Sequence, residues 1–458
     1  KEEELEFYKQ ELLDSEGLED KQRIIALLKK KYLFYCNKDD INLTVYVWNN
    51  KTWKPNLEAI VLREMADLFG DIKQKIKKEE VIEYFKGKGQ FTEVEIKPPH
   101  LIAFNNGFFD LDKKKLIPHS PKYFYVNIIP HDYNPRIKYK KWDKFQKDIH
   151  NKEDLDFIQE WFGYCLYTSY PTKAFLICLG NGDNGKTIEL SIIEEVIGED
   201  NNTTATLQYL NYNPYGPAEL YNKLTNISDE ISNQKIRATG ILKAVSDGRK
   251  ITARRIYGHP FMFVPYAKVT NACNEPPEIL DDTDAIWNRL KFINYPYKFV
   301  LDPKLDNEKL KIDREELLDS LRKEYQGILN WMIKGLIRLR KNKFEFSYNL
   351  STDEVRKYYR YKSNPVIAWK EEDLEYTGDD NDYIRKDEAY NLFLDWIKSK
   401  SITTYPKEDG FFKALKRIEF EDSRPRELDR LRVYLGYRRK CPNVPTIKPS
   451  SFLEIIDN

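Results

Sequence analysis

Residues 174–187 constrain this chain more than any other stretch. Ala174-Phe175-Leu176-Ile177-Cys178-Leu179 is a short, continuously apolar run, the pattern of a strand buried on both faces. It leads directly into Gly180-Asn181-Gly182-Asp183-Asn184-Gly185-Lys186-Thr187, which fits the spacing G-x-x-x-x-G-K-[ST], and a helical pattern resumes at Thr187. Strand, glycine-rich loop and helix in that order form the α/β unit that a phosphate-binding loop requires. Gly180, Gly182, Asn184 and Gly185 are expected to form the cradle, the glycines letting the backbone curl so that its N–H groups face phosphate oxygens. The helix N-terminus adds positive potential, Lys186 is expected to reach the β- and γ-phosphates, and the Thr187 hydroxyl to ligate Mg²⁺. ATP with Mg²⁺ is the expected ligand pair.

The rest of such a site should follow on neighbouring strands. Leu224-Thr225-Asn226-Ile227-Ser228 ends in Asp229-Glu230. Asp229 is assigned to the Mg²⁺ shell and Glu230 to polarising the attacking water. In Ala267–Pro277 a mixed strand ends before two prolines, and either Asn271 or Asn274 suits a residue that orients water near the γ-phosphate. Asp284–Leu290 places Arg289 in an apolar segment, where it suits a finger that stabilises charge on a neighbouring subunit's ATP.

Between these lies a hairpin signal, two β-prone arms around Gly258-His259-Pro260. Residues 245–275 hold five bases and two acids, so Lys250, Arg254, Arg255 and His259 are candidate contacts to a nucleic-acid backbone. A second basic cluster, residues 424–440, carries seven bases against two acids, with Arg438 and Arg439 as candidate duplex contacts on a wing. Residues 371–382 hold seven acids and no base, which reads as a solvated linker or loop.

These local clusters matter because the totals conceal them. The 458 residues carry 75 Lys and Arg against 74 Asp and Glu, a net charge of +1, which argues against a uniformly basic DNA coat but not against local patches. At 41% hydrophobic and 33% charged residues the composition is that of a soluble globular protein of about three domains. No run of about 18 apolar residues predicts a membrane span. Five cysteines far apart, without CxxC spacing, argue against disulfides and structural zinc and for a reducing, cytoplasmic setting. The chain opens on Lys1 rather than methionine, as a fragment or processed chain would. Upstream of the loop, a turn at Asn49-Asn50 predicts a hairpin returning through Trp53, and residues 101–120 read as a small sheet.

Taken in this order, the motifs resemble a superfamily 3 helicase, of the type found in phage, poxvirus and plasmid primase-helicases. Ile102–Leu111 and Gly327–Leu336 also resemble segments that flank the helicase there. The resemblance implies an α/β fold with an AAA+ type P-loop ATPase core (151–345). It also implies an N-terminal α+β domain (1–150) and a C-terminal winged-helix-like DNA-binding domain (346–458). It carries over Lys186 and Thr187 as Walker A, Asp229 and Glu230 as Walker B, Asn274 rather than Asn271 as sensor, and Arg289 as finger. Arg254, Arg255 and His259 fall on the DNA-contacting hairpin. The implied activity is ATP-dependent DNA unwinding by a hexameric ring moving 3′ to 5′, with single-stranded DNA in its channel and duplex at the fork or origin, in plasmid or virus replication, with a primase-polymerase domain upstream. The rival reading is a non-enzymatic initiator that uses ATP as an assembly switch and binds an origin.

Overall fold

In the computed structural model, residues 2–15, 18–36, 44–69, 77–88, 91–229, 234–281, 283–379, 381–399, 405–417, 420, 422–425 and 432–440 are described. The N-terminal helices Asp20–Lys31, Leu57–Phe69 and Lys78–Lys88 turn Ile24, Leu28, Val61, Met65 and Phe85 inward at helical spacing and close their own core. Reciprocal bonds between Glu19 and Gln22 start the first of these. The hairpin expected at Asn49-Asn50 forms. Val45–Trp48 pairs antiparallel with Trp53–Lys54, Asn50 adopts φ +72°, and the Asn49 side chain accepts from the Lys51 and Thr52 amides at 3.0 and 2.7 Å.

The central element is a five-stranded, wholly parallel sheet. Its strands are β1 (Phe175–Leu179), β2 (Asn202–Thr203), β3 (Thr225–Ser228), β4 (Lys268–Cys273) and β5 (Leu290–Asn294), in the spatial order β2-β3-β4-β1-β5. Every residue of β1, β3 and β4 is buried, so the chain is a mixed α/β fold with a parallel core sheet. The helices α1 (Lys140–Ile149), α2 (Leu155–Tyr164), α3 (Lys186–Ile197) and α4 (Tyr325–Lys341) share one hydrophobic core with the sheet face that carries Leu176, Cys178 and Ala272. Trp161 on α2 donates its indole N–H to Thr270 at 2.9 Å. The helices α2 and α4 pack almost backbone to backbone. A methyl group on Gly163 would lie 2.3 Å from the Met332 carbonyl, and one on Gly335 would lie 2.0 Å from that of Gln159.

Hydrophobic contacts cross both expected boundaries. Ile102, Phe104 and Phe109, from the strands Leu101–Phe104 and Gly107–Asp110, join the core of α1, α2 and α4, so the break at 150 cuts through a packed unit. At the other end, α5 (Thr352–Ser363) lays Val355 and Tyr359 against the second sheet face, with Phe175, Ile177 and Val269.

Beyond α5, α6 (Pro365–Asp373), α7 (Lys386–Ser399) and α8 (Glu408–Arg417) enclose Trp369, Phe393 and Phe411. Two antiparallel pairs flank them, Leu374–Tyr376 with Tyr437–Arg439 and Tyr383–Arg385 with Val433–Leu435. The order is helix, strands, two helices, two strands. Here the acidic stretch is a loop only in its second half, from Thr377 on. It closes α6 and forms a strand because it pairs with the basic tail. Arg438 lies 3.1 Å from Glu375 and 3.8 Å from Asp382, and Arg439 lies 3.2 Å from Asp373. None of the helices among the described residues is long and apolar enough to cross a membrane.

Candidate nucleotide site and adjoining basic hairpin

The loop between β1 and α3 uses its glycines where other residues would be strained. Gly182 and Gly185 adopt φ +89° and +84°, in the left-handed region. Gly185 caps α3 and is backed by α1, since an added methyl would strike Ile149 at 2.5 Å. The Lys186 ammonium is buried and donates to the carbonyls of Gly180 (3.2 Å) and Cys273 (2.8 Å) and to Asn274 Oδ1 (3.2 Å). Its partners among the described residues are neutral oxygens, and burial holds it below the usual lysine range. Asn184 is buried too. Its Oδ1 accepts from the Lys186 amide at 3.3 Å, while its Nδ2 has no partner. A cation whose hydrogen-bond partners among the described residues are all neutral, an orphan N–H donor and the N-terminus of a 12-residue helix together suit a phosphate anion. Thr187 is exposed beside them, as its expected role at a metal requires.

Strand order assembles the rest. Because β4 lies between β1 and β3, the ends of all three reach the loop edge together. Asp229, exposed directly after β3, acts on Lys186 through space and opposes the lowering of its pKa. Glu230 lies outside the described residues. The two asparagines separate cleanly. Asn274, exposed just past β4, reaches Lys186, whereas Asn271 lies within the sheet between Ile177 and Ser228, fully buried and with neither amide atom partnered.

Arg289 is not brought to this site. It precedes β5 at the opposite edge of the sheet, where its carbonyl accepts from the Phe175 amide at 2.9 Å. Its guanidinium is held by Asp247 at 2.7–2.8 Å and by the Ala285 carbonyl.

Two features of the site escape sequence reasoning. Glu189, in the first turn of α3, is wholly buried and accepts from Gln146 Nε2 (2.7 Å) and Tyr295 OH, with His150 Nε2 at 3.0 Å. This network ties α1 and the end of β5 to the loop helix. The signal available was an acid on the buried stripe that also carries Ile193 and Val196. The second is a cavity of about 440 Å³ beside the loop, lined by Phe145, Ile188, Phe299 and Leu317 with Lys141 and Arg314. A slot of that size, with an apolar floor and edges carrying Asp148, Asp183 and Glu316 as well as the basic side chains, has room for an aromatic base. No spacing rule joins residues so far apart in the chain.

The expected hairpin forms from Ile251–Ala253 and Phe261–Phe263. At its tip Tyr257 adopts φ +60° and is 101% exposed, with His259 also exposed. Lys250, Arg254 and Arg255 have no carboxylate within 4 Å among the described residues, and Arg254 donates only to the Gly258 carbonyl at 3.1 Å. Arg438 and Arg439, by contrast, are engaged by the acids that face them.

Comparison with known proteins places this geometry among relatives. Residues 21–151 match the family described as D5 N terminal like, and residues 178–289 match a family of unknown function (DUF5906). The chain is 29% identical over 227 residues to "Putative helicase L207/L206" of Acanthamoeba polyphaga mimivirus, covering 44% of this chain and 22% of that protein. It is 24% identical over 335 residues to "Putative helicase 184R" of Invertebrate iridescent virus 6, covering 65% and 34%. The apo C-terminal region of NrS-1 has a similar structure, at a TM-score of 0.48, 14% identity and 88% and 86% coverage. The chain thus spans about a fifth to a third of the length of these curated relatives. Carrying a D5 N-terminal-like segment ahead of its glycine loop, the chain is a relative of the viral proteins named as helicases, the resemblance its motif order implies.

Proposed function

We propose that this chain is the motor part of a viral or plasmid replication protein, an ATP-dependent DNA helicase with an AAA+ type P-loop core. The observation that carries the reading is the meeting of Lys186 and Asn274 at the mouth of the glycine loop. A lysine that grips phosphate and an amide that can hold a water then stand within one hydrogen bond of each other. Gly180, Gly182, Asn184 and Gly185 cradle the phosphates, and the slot at Phe145 and Phe299 takes the base. Thr187 and Asp229 would hold Mg²⁺, which when bound neutralises phosphate charge. Asn274 orients the attacking water, and Glu230 keeps its sequence assignment as the group that activates it. Arg289 completes the site of a neighbouring copy in a ring, taken as a hexamer by resemblance, as is the 3′ to 5′ direction. The helix–strand–strand–helix–helix–strand–strand order of residues 365–439 supports a winged-helix reading of the C-terminal unit. A primase-polymerase domain upstream, and work in the host cytoplasm, complete the proposal.

The test is strand displacement on forked DNA with and without ATP and Mg²⁺, using Lys186→Ala as control. Unwinding that needs ATP and is lost in Lys186→Ala is expected. DNA binding with neither unwinding nor DNA-stimulated hydrolysis would overturn the motor and favour an ATP-switched initiator.

A further inference from the structure

Among the described residues, Asn271 alone buries two side-chain polar atoms, Oδ1 and Nδ2, with a partner for neither. It is 0% exposed in the middle of β4. Alternation along the strand sets its side chain on the sheet face that carries Val269 and Cys273, where the second core packs. An amide left in this state opposes folding, and an apolar residue in its place would not. Chains retain such groups at functional sites and where water is held inside.

Its neighbour on the sheet points to water. The strands β3 and β4 pair so that Asn271 stands opposite Ser228, and Val269 opposite Asn226. Asn226 therefore lies on the same face one diagonal step away, about 8 Å between Cα atoms from the spacing of strands and their rise. It is buried as well. Its Nδ2 donates to the Ala205 carbonyl at 2.9 Å, and its Oδ1 has no partner. Two open acceptors and one open donor thus share one patch of the sheet. Water matches that set, since it donates twice and accepts, and a buried water makes about three hydrogen bonds.

The patch adjoins the nucleotide site from below. Ser228 ends β3, and Asp229 and Glu230, the residues assigned to Mg²⁺ and to the attacking water, follow it in sequence. On β4, Cys273, two residues past Asn271, offers its carbonyl to the Lys186 ammonium at 2.8 Å. We propose that Asn271 is a positioning residue for hydrolysis, holding with Asn226 a buried water that fixes the ends of β3 and β4 against each other. Its side chain acts from within the sheet, whereas Asn274 acts at the loop mouth. The proposal rests on the reading of the loop as an ATP-hydrolysing site.

The experiment measures ATP hydrolysis in Mg²⁺ by the wild type, Asn271→Leu, Asn226→Leu and the double variant, each checked for folding by thermal melting. Each single change is expected to lower kcat about tenfold, as loss of an outer-shell partner does, with KM for ATP unchanged. The double variant should fall no further than the single ones, because one water serves both amides. A folded Asn271→Leu protein that turns over as the wild type does overturns the proposal and leaves the ATP reading intact. So do losses that multiply in the double variant, since the amides then act separately, and a loss that appears only as a raised KM. A wild type that hydrolyses no ATP overturns the reading of the loop, and the positioning role falls with it. Should the leucine variants fail to fold, a crystal structure of the wild type that shows bound water decides. A water within hydrogen-bond distance of both amides supports the proposal, and a dry contact overturns it.

Discussion

Lys186 and Lys268 show how one residue type serves two ends in this sheet. Both are buried, but Lys186 opens onto the glycine loop, whereas Lys268 is enclosed on β4 by the rings of Tyr164 and Tyr170, with only the Tyr167 and Tyr266 carbonyls as acceptors (2.6 and 2.7 Å). Burial holds Lys268 at about 7, well below an unfolded value of about 10.4. Below pH 7 both states hold the proton and the folded state bears the whole penalty. Between about 7 and 10 only the unfolded state keeps it, so stability contributed by this group rises with pH. Measured by denaturant unfolding from pH 7.5 to 9.5, the wild type should gain on Lys268→Met by up to about 1.4 kcal/mol per pH unit. A flat difference would mean that the ammonium is solvated. Asn274 gives the complementary prediction for chemistry. Its side chain is exposed, so Asn274→Ala should leave the melting temperature unchanged while kcat for ATP falls by about 10²-fold. Its assignment over Asn271 was implied by family resemblance alone, because strand periodicity cannot say where a strand ends. In the structure β4 stops at Cys273, which puts Asn274 just past the strand and Asn271 inside it.

At the scale of elements, legibility followed burial. The strand β1 could be read because five consecutive apolar residues admit few alternatives, and the glycine loop after it because its spacing is local. The strand β3, Thr225-Asn226-Ile227-Ser228, reads as polar yet is wholly buried. Hydrogen bonds hold most of it, Thr225 Oγ1 donating to Asn202 at 2.9 Å and Asn226 Nδ2 to the Ala205 carbonyl at 2.9 Å, while Asn226 Oδ1 has no partner among the described residues. Such pairings join residues some twenty positions apart and leave no periodic trace. The α2–α4 contact is similar. Gly163 and Gly335 look like poor helix residues until their close approach is seen. Gly163→Ala should therefore destabilise by about 1–3 kcal/mol in chemical denaturation, the usual range for overpacking, rather than stabilise as an exposed helical glycine would. The two basic clusters also part here. The arginines of Tyr437–Arg439 face acids across a strand pair, so Arg438→Ala should cost about 1 kcal/mol or less and leave DNA affinity intact. Lys250→Ala, on an unpaired cation, should weaken DNA binding uniformly across sequences and lower the salt slope by about 1.

Over the whole molecule these pairings give the net charge of +1 its meaning. The acidic stretch and the basic tail largely cancel within the C-terminal unit, whereas among the described residues Lys250, Arg254 and Arg255 of the hairpin have no carboxylate within 4 Å. A motor that holds one polyanion while moving along it needs that economy of placement. The same view decides how Arg289 can act. It stands before β5, level with the start of β1, while Lys186 stands past the end of β1, so the five residues of that strand separate them, about 16 Å at 3.3 Å per residue. Its guanidinium also points into Asp247. Within one chain it cannot touch the phosphate that Lys186 would bind, so any catalytic contact must be made to a neighbouring copy, with the Asp247 pair exchanged for it on assembly. Head-to-tail contact of this kind generates a ring where its rotation closes and a filament where it does not. Arg289→Ala and Lys186→Ala proteins should each be inactive in hydrolysis alone. Mixed in equal amounts, they should regain about one site in four, since a glycine loop from the first then meets an arginine from the second. No regain, in mixtures whose native mass shows intact mixed oligomers, would confine Arg289 to its bond with Asp247 and make it a structural residue.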